Sequence, residues 1–342
     1  MAAFPRKILV IQVSRIGDTL FAIPAIRAIA TACPDAQITV LGHPNRADVF
    51  KHLPFITEIG SIEKRRSWLK GWFSGKSYDL AFVFGFDEAL VAYALRISSK
   101  VVAFQQSVES LNRKLYRMVE RPAFQSEHAV KQLLRLPAAM GWQADGLRVA
   151  FQVTAEESTA AKQLLQVEIG SNAGFLVGLQ VASFHTKAYR DWPVESFADL
   201  AKKIHQYRPD AHFLIFGGKD EQERTTWLHQ QLDGCSTHLA GRLSLRQTAA
   251  CMSLTQLYVG VDTGPTHIMS AFDIPMLALY HCLSPSSLTG PLEHPVCAAV
   301  DHPHAAGGCS DASSMSDINV DYVFQRIVEL LEQQSAKLRI PA

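Results

Sequence analysis

The stretch Tyr258-Val-Gly-Val-Asp-Thr-Gly-Pro-Thr-His267 contains the end of a strand, a turn and the start of a helix. An apolar run closed by a polar turn is typical of a buried parallel strand, and a proline just after the turn suits the first turn of a helix. The N–H groups after Gly264, the Thr263 hydroxyl and the helix dipole would form an anion site. His267 lies about one helical turn further on and is expected to face the same cleft. A capped helix with a packed histidine is the alternative.

Two other stretches have the same order of strand, turn and helix. Val13-Ser-Arg-Ile-Gly-Asp18 follows the first predicted strand. Its Asp18 either caps a helix or is a carboxylate able to act as general base. Ser183–Pro193 contains the cations Lys187 and Arg190 and precedes a predicted helix. A solvated basic loop is the alternative interpretation there.

Short apolar runs alternate with longer amphipathic segments along the chain, which predicts an α/β fold with parallel sheets. The pattern stops near the Gly-Ser-Asn-Ala-Gly stretch at 170–174 and then restarts. We therefore expect two Rossmann-like domains facing a cleft at the carboxyl ends of their strands. The predicted strands are Lys7–Val13, Gln37–His43, Leu80–Gly85, Val101–Phe104, Phe175–Ala182, His212–Gly218, Leu257–Asp262 and a run ending at Tyr280. The predicted helices are Thr19–Thr31, Glu88–Ile97, His128–Met140, Pro193–Tyr207, Asp220–Leu232, Thr263–Phe272 and Asn319–Gln334.

Composition narrows the class of protein. The 342 residues include 33 Lys and Arg and 32 Asp and Glu, so the net charge is +1. That length favours two domains at roughly 100–200 residues each. A near-neutral chain is not typical of a nucleic-acid binder, so we expect no nucleic-acid partner. An anionic partner would have to bind at a local patch.

The cysteines and the N-terminal region predict a cytoplasmic protein. Six cysteines without a C-x-x-C pair are expected to be reduced thiols. Arg6-Lys7 and the apolar run after them imitate a signal peptide, but Arg15 and Asp18 limit that run to Ile8–Val13. No stretch approaches the roughly 18 apolar residues of a spanning helix. We expect contact with a membrane only from its surface.

Several familiar motifs are incomplete or missing. Gly71–Ser77 resembles a phosphate-binding P-loop, but it is one residue short and follows a basic segment rather than a strand. The chain has no G-x-G-x-x-G fingerprint, which argues against an oxidoreductase, and no G-x-S-x-G elbow or D-x-D pair. The histidines and cysteines from His281 to Cys309 match no zinc spacing. They are interpreted as an ordinary histidine-rich loop, and no metal site is expected.

Taken together, three stretches resemble the bacterial lipopolysaccharide heptosyltransferases, a glycosyltransferase family (family 9) that includes the ADP-heptose:lipopolysaccharide heptosyltransferases. The resemblance runs from about residue 6 to residue 330, with weaker support from two C-terminal segments. The segments that carry it are Ser14-Arg-Ile-Gly-Asp18 with Ile23-Pro-Ala25, Arg190-Asp-Trp-Pro193, Asp262-Thr-Gly-Pro-Thr-His267, Leu288-Thr-Gly-Pro291 and the region from Asp317 to Val323.

The resemblance implies a GT-B fold and an activity. It implies an acceptor domain at 1–160, a nucleotide-sugar domain at 170–318, and a final helix at 319–342 that crosses back to the first domain. It also implies inverting transfer of heptose from ADP-heptose to a lipopolysaccharide core acceptor, without metal or cofactor. Same-family transfer to a capsule glycan or a protein, or a non-catalytic nucleotide-sugar-binding role, are the alternatives.

The same resemblance implies roles for individual residues. Asp18 would be the base that deprotonates the acceptor hydroxyl. The donor would be held by Thr186 and Arg190 at the diphosphate, Glu221 at the ribose, Leu243 at the adenine, and Asp262, Thr263, Gly264 and His267 at the sugar and phosphates. Many relatives carry Lys where this chain has Arg190, so either Arg190 or Lys187 takes the phosphate. The planar guanidinium favours Arg190.

A basic and aromatic segment in the first half suggests an anionic surface partner. Lys64-Arg65-Arg66 is followed closely by Trp68, Trp72 and Phe73. Such residues suit the cytoplasmic face of the inner membrane or an acidic saccharide acceptor. An ordinary solvated loop is the alternative.

Overall fold

The computed structural model describes residues 4–72, 75–170, 174–183, 185–232, 234–310 and 312–338. Phe73 and Ser74, within the P-loop-like stretch and the aromatic segment, lie outside these ranges, as do residues 171–173 of the Gly-Ser-Asn-Ala-Gly stretch. The chain divides into two compact units, Met1–Gln152 and Val153–Ala342.

The first unit is built on a six-stranded parallel sheet with strand order β3-β2-β1-β4-β5-β6. The order reverses between β1 and β4, and ligands of open α/β sheets bind at such a reversal, beside the carboxyl ends of the strands. The strands are β1 (Lys7–Gln12), β2 (Gln37–Gly42), β3 (Glu58–Ser61), β4 (Tyr78–Phe84), β5 (Ser98–Phe104) and β6 (Arg117–Val119). The helices are α1 (Ile16–Phe21), α2 (Ile23–Ala32), α3 (Glu88–Ile97), α4 (Glu109–Asn112) and α5 (Ala129–Ala138), with 3₁₀ turns at Ala47–Phe50 and Lys64–Leu69.

The second unit repeats this design with strand order β12-β11-β10-β7-β8-β9, which reverses between β10 and β7. Its strands are β7 (Phe175–Gln180), β8 (Ala211–Phe216), β9 (Ser236–His238), β10 (Leu257–Val261), β11 (Met276–Tyr280) and β12 (Cys297–Asp301). Its helices are α6 (Ala155–Ile169), α7 (Val194–Tyr207), α8 (Gln222–Gln231), α9 (Leu245–Met252), α10 (Gly264–Met269), α11 (Ser286–Thr289) and α12 (Val320–Leu338). Short 3₁₀ helices occupy His185–Arg190, Lys219–Glu221, Pro303–Ala306 and Met315–Asp317.

Local chemistry explains where these elements begin and end. Strand β1 is buried at every position from Ile8 to Gln12, as a strand covered on both faces must be. The single helix predicted over Thr19–Thr31 is instead two helices that meet at Ala22. Pro24 lies in the first turn of the second helix, and its missing N–H cannot continue the first.

The unit boundary differs from the predicted one, since residues 153–160 belong to the second unit. Ala161 and Leu165 of α6 are buried in that unit's core. Arg246 of α9 donates through two of its nitrogens to the Glu157 carboxylate, which fastens α6 to the same unit.

The final helix also belongs to the second unit. Val323, Ile327 and Leu330 lie in the core formed by β7, β10 and β11 and their helices. Within the described part of the predicted segment 319–342, α12 is therefore not separate, because its apolar face is buried in the core of the second unit. The crossing of this helix to the first unit stays a prediction.

Two cysteines differ from expectation. Cys282 and Cys309 are disulfide-bonded, so the prediction of six reduced thiols is wrong for this pair. The fold brings their Cα atoms to 5.7 Å across a sequence separation of 27 residues. Within the described ranges, no helix is long and apolar enough to cross a membrane.

Candidate active site

Asp262 is the centre of a buried polar cluster at the carboxyl end of β10, where the second sheet reverses its strand order. Its side chain is 1% exposed. Arg190 Nη1 donates to Oδ2 at 2.6 Å, and Ser284 Oγ donates to the same oxygen at 3.1 Å. His267 Nε2 lies 3.2 Å from Oδ1. Three segments of the chain therefore meet on one carboxylate.

Opposing effects act on the pKa of Asp262. Burial raises it, because desolvation penalises the charged form. The hydrogen bond and charge of His267, the charge of Arg190 and the Ser284 hydrogen bond lower it, and the net pKa is below its ordinary value. Asp262 is therefore an ionised partner of Arg190 at neutral pH.

The turn after β10 is shaped by close packing. A Cβ on Gly260 would lie 2.7 Å from Thr266 Oγ1, so only glycine fits there without displacement. Thr266 Oγ1 donates to the Val261 carbonyl at 2.6 Å and is 2.9 Å from Tyr258 Oη. Thr263 is the N-cap residue of α10, and its side chain makes no capping hydrogen bond.

Lys187 and Arg190 converge on one phenol. Arg190 Nε donates to Tyr189 Oη at 3.2 Å, and Lys187 Nζ donates to the same oxygen at 3.5 Å. The Tyr189 ring meets the His281 ring edge-on, with centroids 4.9 Å apart. Both predicted phosphate-binding cations therefore lie beside the Asp262 cluster, and the basic-loop alternative does not describe Arg190.

Asp191 anchors this loop, and sequence reasoning missed it. The Ser183 amide and hydroxyl both donate to Asp191 Oδ1 at 2.7 Å, and Arg224 Nη1 donates to Oδ2 at 2.7 Å. Trp192 is fully buried and donates to the Ile318 carbonyl at 3.0 Å. The sequence signal was a carboxylate next to a tryptophan in the strand-to-helix loop.

The remaining donor candidates are spread over the second unit. Thr186 is exposed. Glu221 accepts from the Gly218 amide and lines a pocket of about 420 Å³ with Asp191. Burial raises the pKa of Glu221, partly offset by that amide. Leu243 lines a different pocket, of about 690 Å³, between α6 and α9. The structure thus brings Arg190, Asp262 and His267 together, whereas Glu221 and Leu243 line separate cavities.

Asp18 lines a pocket of about 450 Å³ in the first unit, beside the carboxyl ends of β1 and β4. Its side chain is exposed, and Oδ2 accepts from Ser14 Oγ at 2.7 Å. Gln12 Nε2 donates to the Asp18 carbonyl at 2.7 Å. The N-cap of α1 is Arg15, so the interpretation of Asp18 as the cap is wrong. Asp18 is instead a solvated carboxylate at the mouth of a pocket.

The basic segment borders the same pocket. Lys64 lines it and lies 3.7 Å from Asp87 Oδ2, while Arg65 and Arg66 are exposed. Trp68 is 61% exposed. Arg96, which sequence reasoning did not single out, donates to the carbonyls of Ser67 and Lys70 and stacks on Trp72 at 4.8 Å. The segment is therefore held in place by α3, although its charges face solvent.

A sequence model described as glycosyltransferase family 9 (heptosyltransferase) matches residues 73–312, which is more than half of the chain. The chain belongs to glycosyltransferase family 9. The lipopolysaccharide core heptosyltransferase OpsX of Haemophilus influenzae is 21% identical to this glycosyltransferase over 284 residues, covering 81% of this chain and 79% of that protein.

Solved structures share the fold of the glycosyltransferase. A family 9 glycosyltransferase from Veillonella parvula superposes with a TM-score of 0.83 at 17% identity, over 96% of this chain and 98% of the other. The ADP-heptose LPS heptosyltransferase II of E. coli gives 0.79 at 21% identity, over 96% and 99%. The predicted α/β fold of GT-B type is confirmed.

Proposed function

We propose that this glycosyltransferase moves heptose from ADP-heptose to a lipopolysaccharide core acceptor, with inversion and without a metal. One observation carries the proposal: each unit places charged groups where its sheet reverses strand order, the Asp18 carboxylate in one and the Arg190–Asp262–His267 cluster in the other. Relatives named for ADP-heptose and for the lipopolysaccharide core supply the substrates.

Asp18 has the chemistry required of the base. Inverting transfer needs one carboxylate to take the proton of the acceptor hydroxyl as its oxygen attacks the anomeric carbon. Asp18 is exposed beside a pocket with room for a sugar, and its Oδ2 accepts a hydrogen bond from the Ser14 hydroxyl. The second carboxylate oxygen is then available to the acceptor.

The second unit has the chemistry required of the leaving-group site. Departing ADP carries negative charge that cations and N–H groups can stabilise. Arg190 meets the diphosphate with N–H groups that Asp262 and Tyr189 do not engage, and Lys187 lies beside it. Transfer requires the two sites to meet, which would also exclude water from the donor.

The test of the base is Asp18→Ala, with ADP release from ADP-heptose as the readout and a panel of truncated cores as acceptors. Loss of a general base lowers the rate about 10²- to 10⁴-fold. ADP affinity should stay at the wild-type value, because Asp18 is on the acceptor unit. Asp48→Ala, another exposed aspartate of the first unit, is the matched control. Near wild-type turnover by Asp18→Ala would show that the base lies elsewhere.

The acceptor panel tests the substrate class with the wild-type protein. Turnover only with a capsule glycan or protein acceptor would show that the acceptor is not the lipopolysaccharide core. Binding of ADP-heptose without transfer to any acceptor would favour a non-catalytic binding role.

We also propose that the protein works at the cytoplasmic face of the inner membrane, held there by Lys64, Arg65, Arg66 and Trp68. Exposed cations gain about 1 kcal/mol each near an anionic leaflet, and an indole adds apolar contact. Reversing the three charges to Glu should release the protein from anionic vesicles. Lys162→Glu with Lys202→Glu, at exposed positions of the second unit, is the control. Equal vesicle binding by all variants would contradict the proposal.

A further inference from the structure

Three side chains that can bind a metal lie close together next to the Asp262 cluster: His281, Cys282 and Cys309. His281 and Cys282 directly follow β11, and Cys309 lies in the segment after Pro303–Ala306. One ligand atom from each of the three residues lies within 4.8 Å of the other two. Cys282 Sγ is 3.8 Å from His281 Nδ1. The His281 side chain is fully buried and Cys282 is 7% exposed, so the group is built into the fold.

The hydrogen bonds of His281 leave the correct nitrogen facing the sulfurs. His281 Nε2 donates to the Ser313 carbonyl at 2.9 Å, which places the proton on Nε2 and the lone pair on Nδ1. Metal-bound histidines commonly donate their other ring N–H to a backbone carbonyl in this way. The Leu283 amide donates to Nδ1 at 3.1 Å, and a bound metal would replace that hydrogen bond.

We propose that reduction of the Cys282–Cys309 disulfide creates a site in which both sulfurs and His281 Nδ1 bind one Zn²⁺. A dithiol reductant supplies two electrons and two protons, becomes a disulfide itself, and leaves two cysteine thiols. Zn²⁺ then displaces both thiol protons and is bound by two thiolates and one imidazole. Water occupies the fourth position of the tetrahedron, as in other three-ligand zinc sites.

The distances suit zinc. Zn–S bonds of about 2.3 Å and Zn–N bonds of about 2.0 Å place tetrahedral ligands roughly 3.5–3.8 Å apart. The 3.8 Å between Cys282 Sγ and His281 Nδ1 is within about 0.3 Å of the sulfur-to-nitrogen spacing, which is the shorter end of that range. Breaking the disulfide lets the sulfurs separate to the same spacing. Two thiolates with one imidazole are ligands that favour zinc over hard cations such as Mg²⁺.

The proposed zinc ligands are connected by direct contacts to the residues proposed to bind the donor. The His281 ring contacts Tyr189, whose hydroxyl accepts from Arg190, and Ser284 donates to Asp262 two residues beyond Cys282. The zinc would touch none of the reacting atoms, so it is compatible with metal-independent transfer. In the oxidised protein the disulfide links Cys282 to Cys309, and in the reduced protein the zinc would link the same two residues.

The experiment compares the reduced and oxidised full-length protein without any substitution. Protein reduced with a dithiol and freed of it by anaerobic gel filtration is titrated with Co²⁺ and then Zn²⁺. We expect one equivalent of Co²⁺ with a thiolate-to-cobalt charge-transfer band, bleached by Zn²⁺, and no band in the disulfide form. Reduced wild type that takes up no more metal than the disulfide form would overturn the proposal.

Variants identify the ligands. Cys282→Ser and Cys309→Ser should each abolish the charge-transfer band or weaken metal binding at least tenfold, and His281→Gln should weaken binding. Cys235→Ser, at a half-buried cysteine outside the disulfide, should bind as wild type does. His304→Gln tests a second cluster of possible ligands among the described residues, which consists of His302, His304 and Asp317. Metal binding that is lost in His304→Gln but kept in Cys282→Ser would refute the assignment.

Discussion

Replacing Arg190 with glutamine should destabilise the second unit, because it removes the cation that pairs with a buried carboxylate. Asp262 is 1% exposed and Arg190 is 21% exposed. Breaking a buried ion pair from one side costs about 3–5 kcal/mol. Since Ser284 and His267 still contact Asp262, we expect the lower end, about 3 kcal/mol. For a unit of this size that corresponds to a fall in Tm of roughly 6–12 °C.

The destabilisation should depend on pH in a defined direction. The pKa of Asp262 is below its ordinary value of 3.8 in the folded protein. Its ionised form therefore stabilises the fold above pH 3.8, and this stabilisation is lost as the pH falls through the folded pKa. The Tm difference between wild type and Arg190→Gln should be full at neutral pH and should narrow below about pH 4.

Differential scanning calorimetry measures the Tm of Arg190→Gln at each pH, with Lys187→Gln as the matched control. Lys187 contacts a phenol rather than a carboxylate, so its loss should leave the Tm nearly unchanged. ADP titrations on the same two variants decide which cation holds the diphosphate, with a loss of about tenfold or more expected for Arg190→Gln. A Tm for Arg190→Gln within about 2 °C of wild type would refute the stabilising role of the pair.

Three other changes test the surroundings of the site. Gly260→Ala places a Cβ 2.7 Å from Thr266 Oγ1 and should lower the unfolding free energy by about 1–3 kcal/mol in urea titrations; unchanged stability would contradict the close packing. Trp192→Phe leaves the Ile318 carbonyl without its donor and should cost about 1–3 kcal/mol in the same assay, whereas a cost near zero would argue against that hydrogen bond. Glu221→Gln should raise the Tm at pH 7, because burial raises the pKa of Glu221 above 4.5 and its ionisation opposes folding. That gain should vanish below pH 4.5, and a gain that persisted there would exclude ionisation as its cause.

The strands that could be predicted are those buried on both faces. β1 and β4 are continuous apolar runs, and their predicted and observed bounds agree within two residues. β3, β6 and β9 were missed because they are only three or four residues long, so neither run length nor alternation identifies them. Residues 153–160 were assigned to the first domain because the contacts of α6 with the second unit lie far away in sequence and leave no local signal.

The candidate site also contains residues that could be predicted from the sequence and residues that could not. Arg190 and Asp262 were predicted to share a site because each follows a strand, and neighbouring parallel strands end at the same edge. His267 was predicted to join them because it lies about one helical turn further on. Tyr189 and Ser284 could not be singled out, since serines and tyrosines are common and only tertiary contact gives these two a role. The pairing of Cys282 with Cys309 has no spacing signature and depends on how two loops fold against β11.

The contacts of Arg190 also bear on the entropy of binding. Its guanidinium is held by Asp262 and Tyr189 before any ligand arrives, so the side chain has little rotamer freedom left to lose. Ordering a mobile side chain at an interface costs about 0.5–1.5 kcal/mol. Lys187, whose Nζ contacts Tyr189 only through a long 3.5 Å hydrogen bond and the ring face, would incur that cost on binding. For Arg190 most of this loss of freedom has already occurred during folding. Under the proposed function, the nucleotide meets a preorganised cation, and the folding of the second unit supplies part of its affinity.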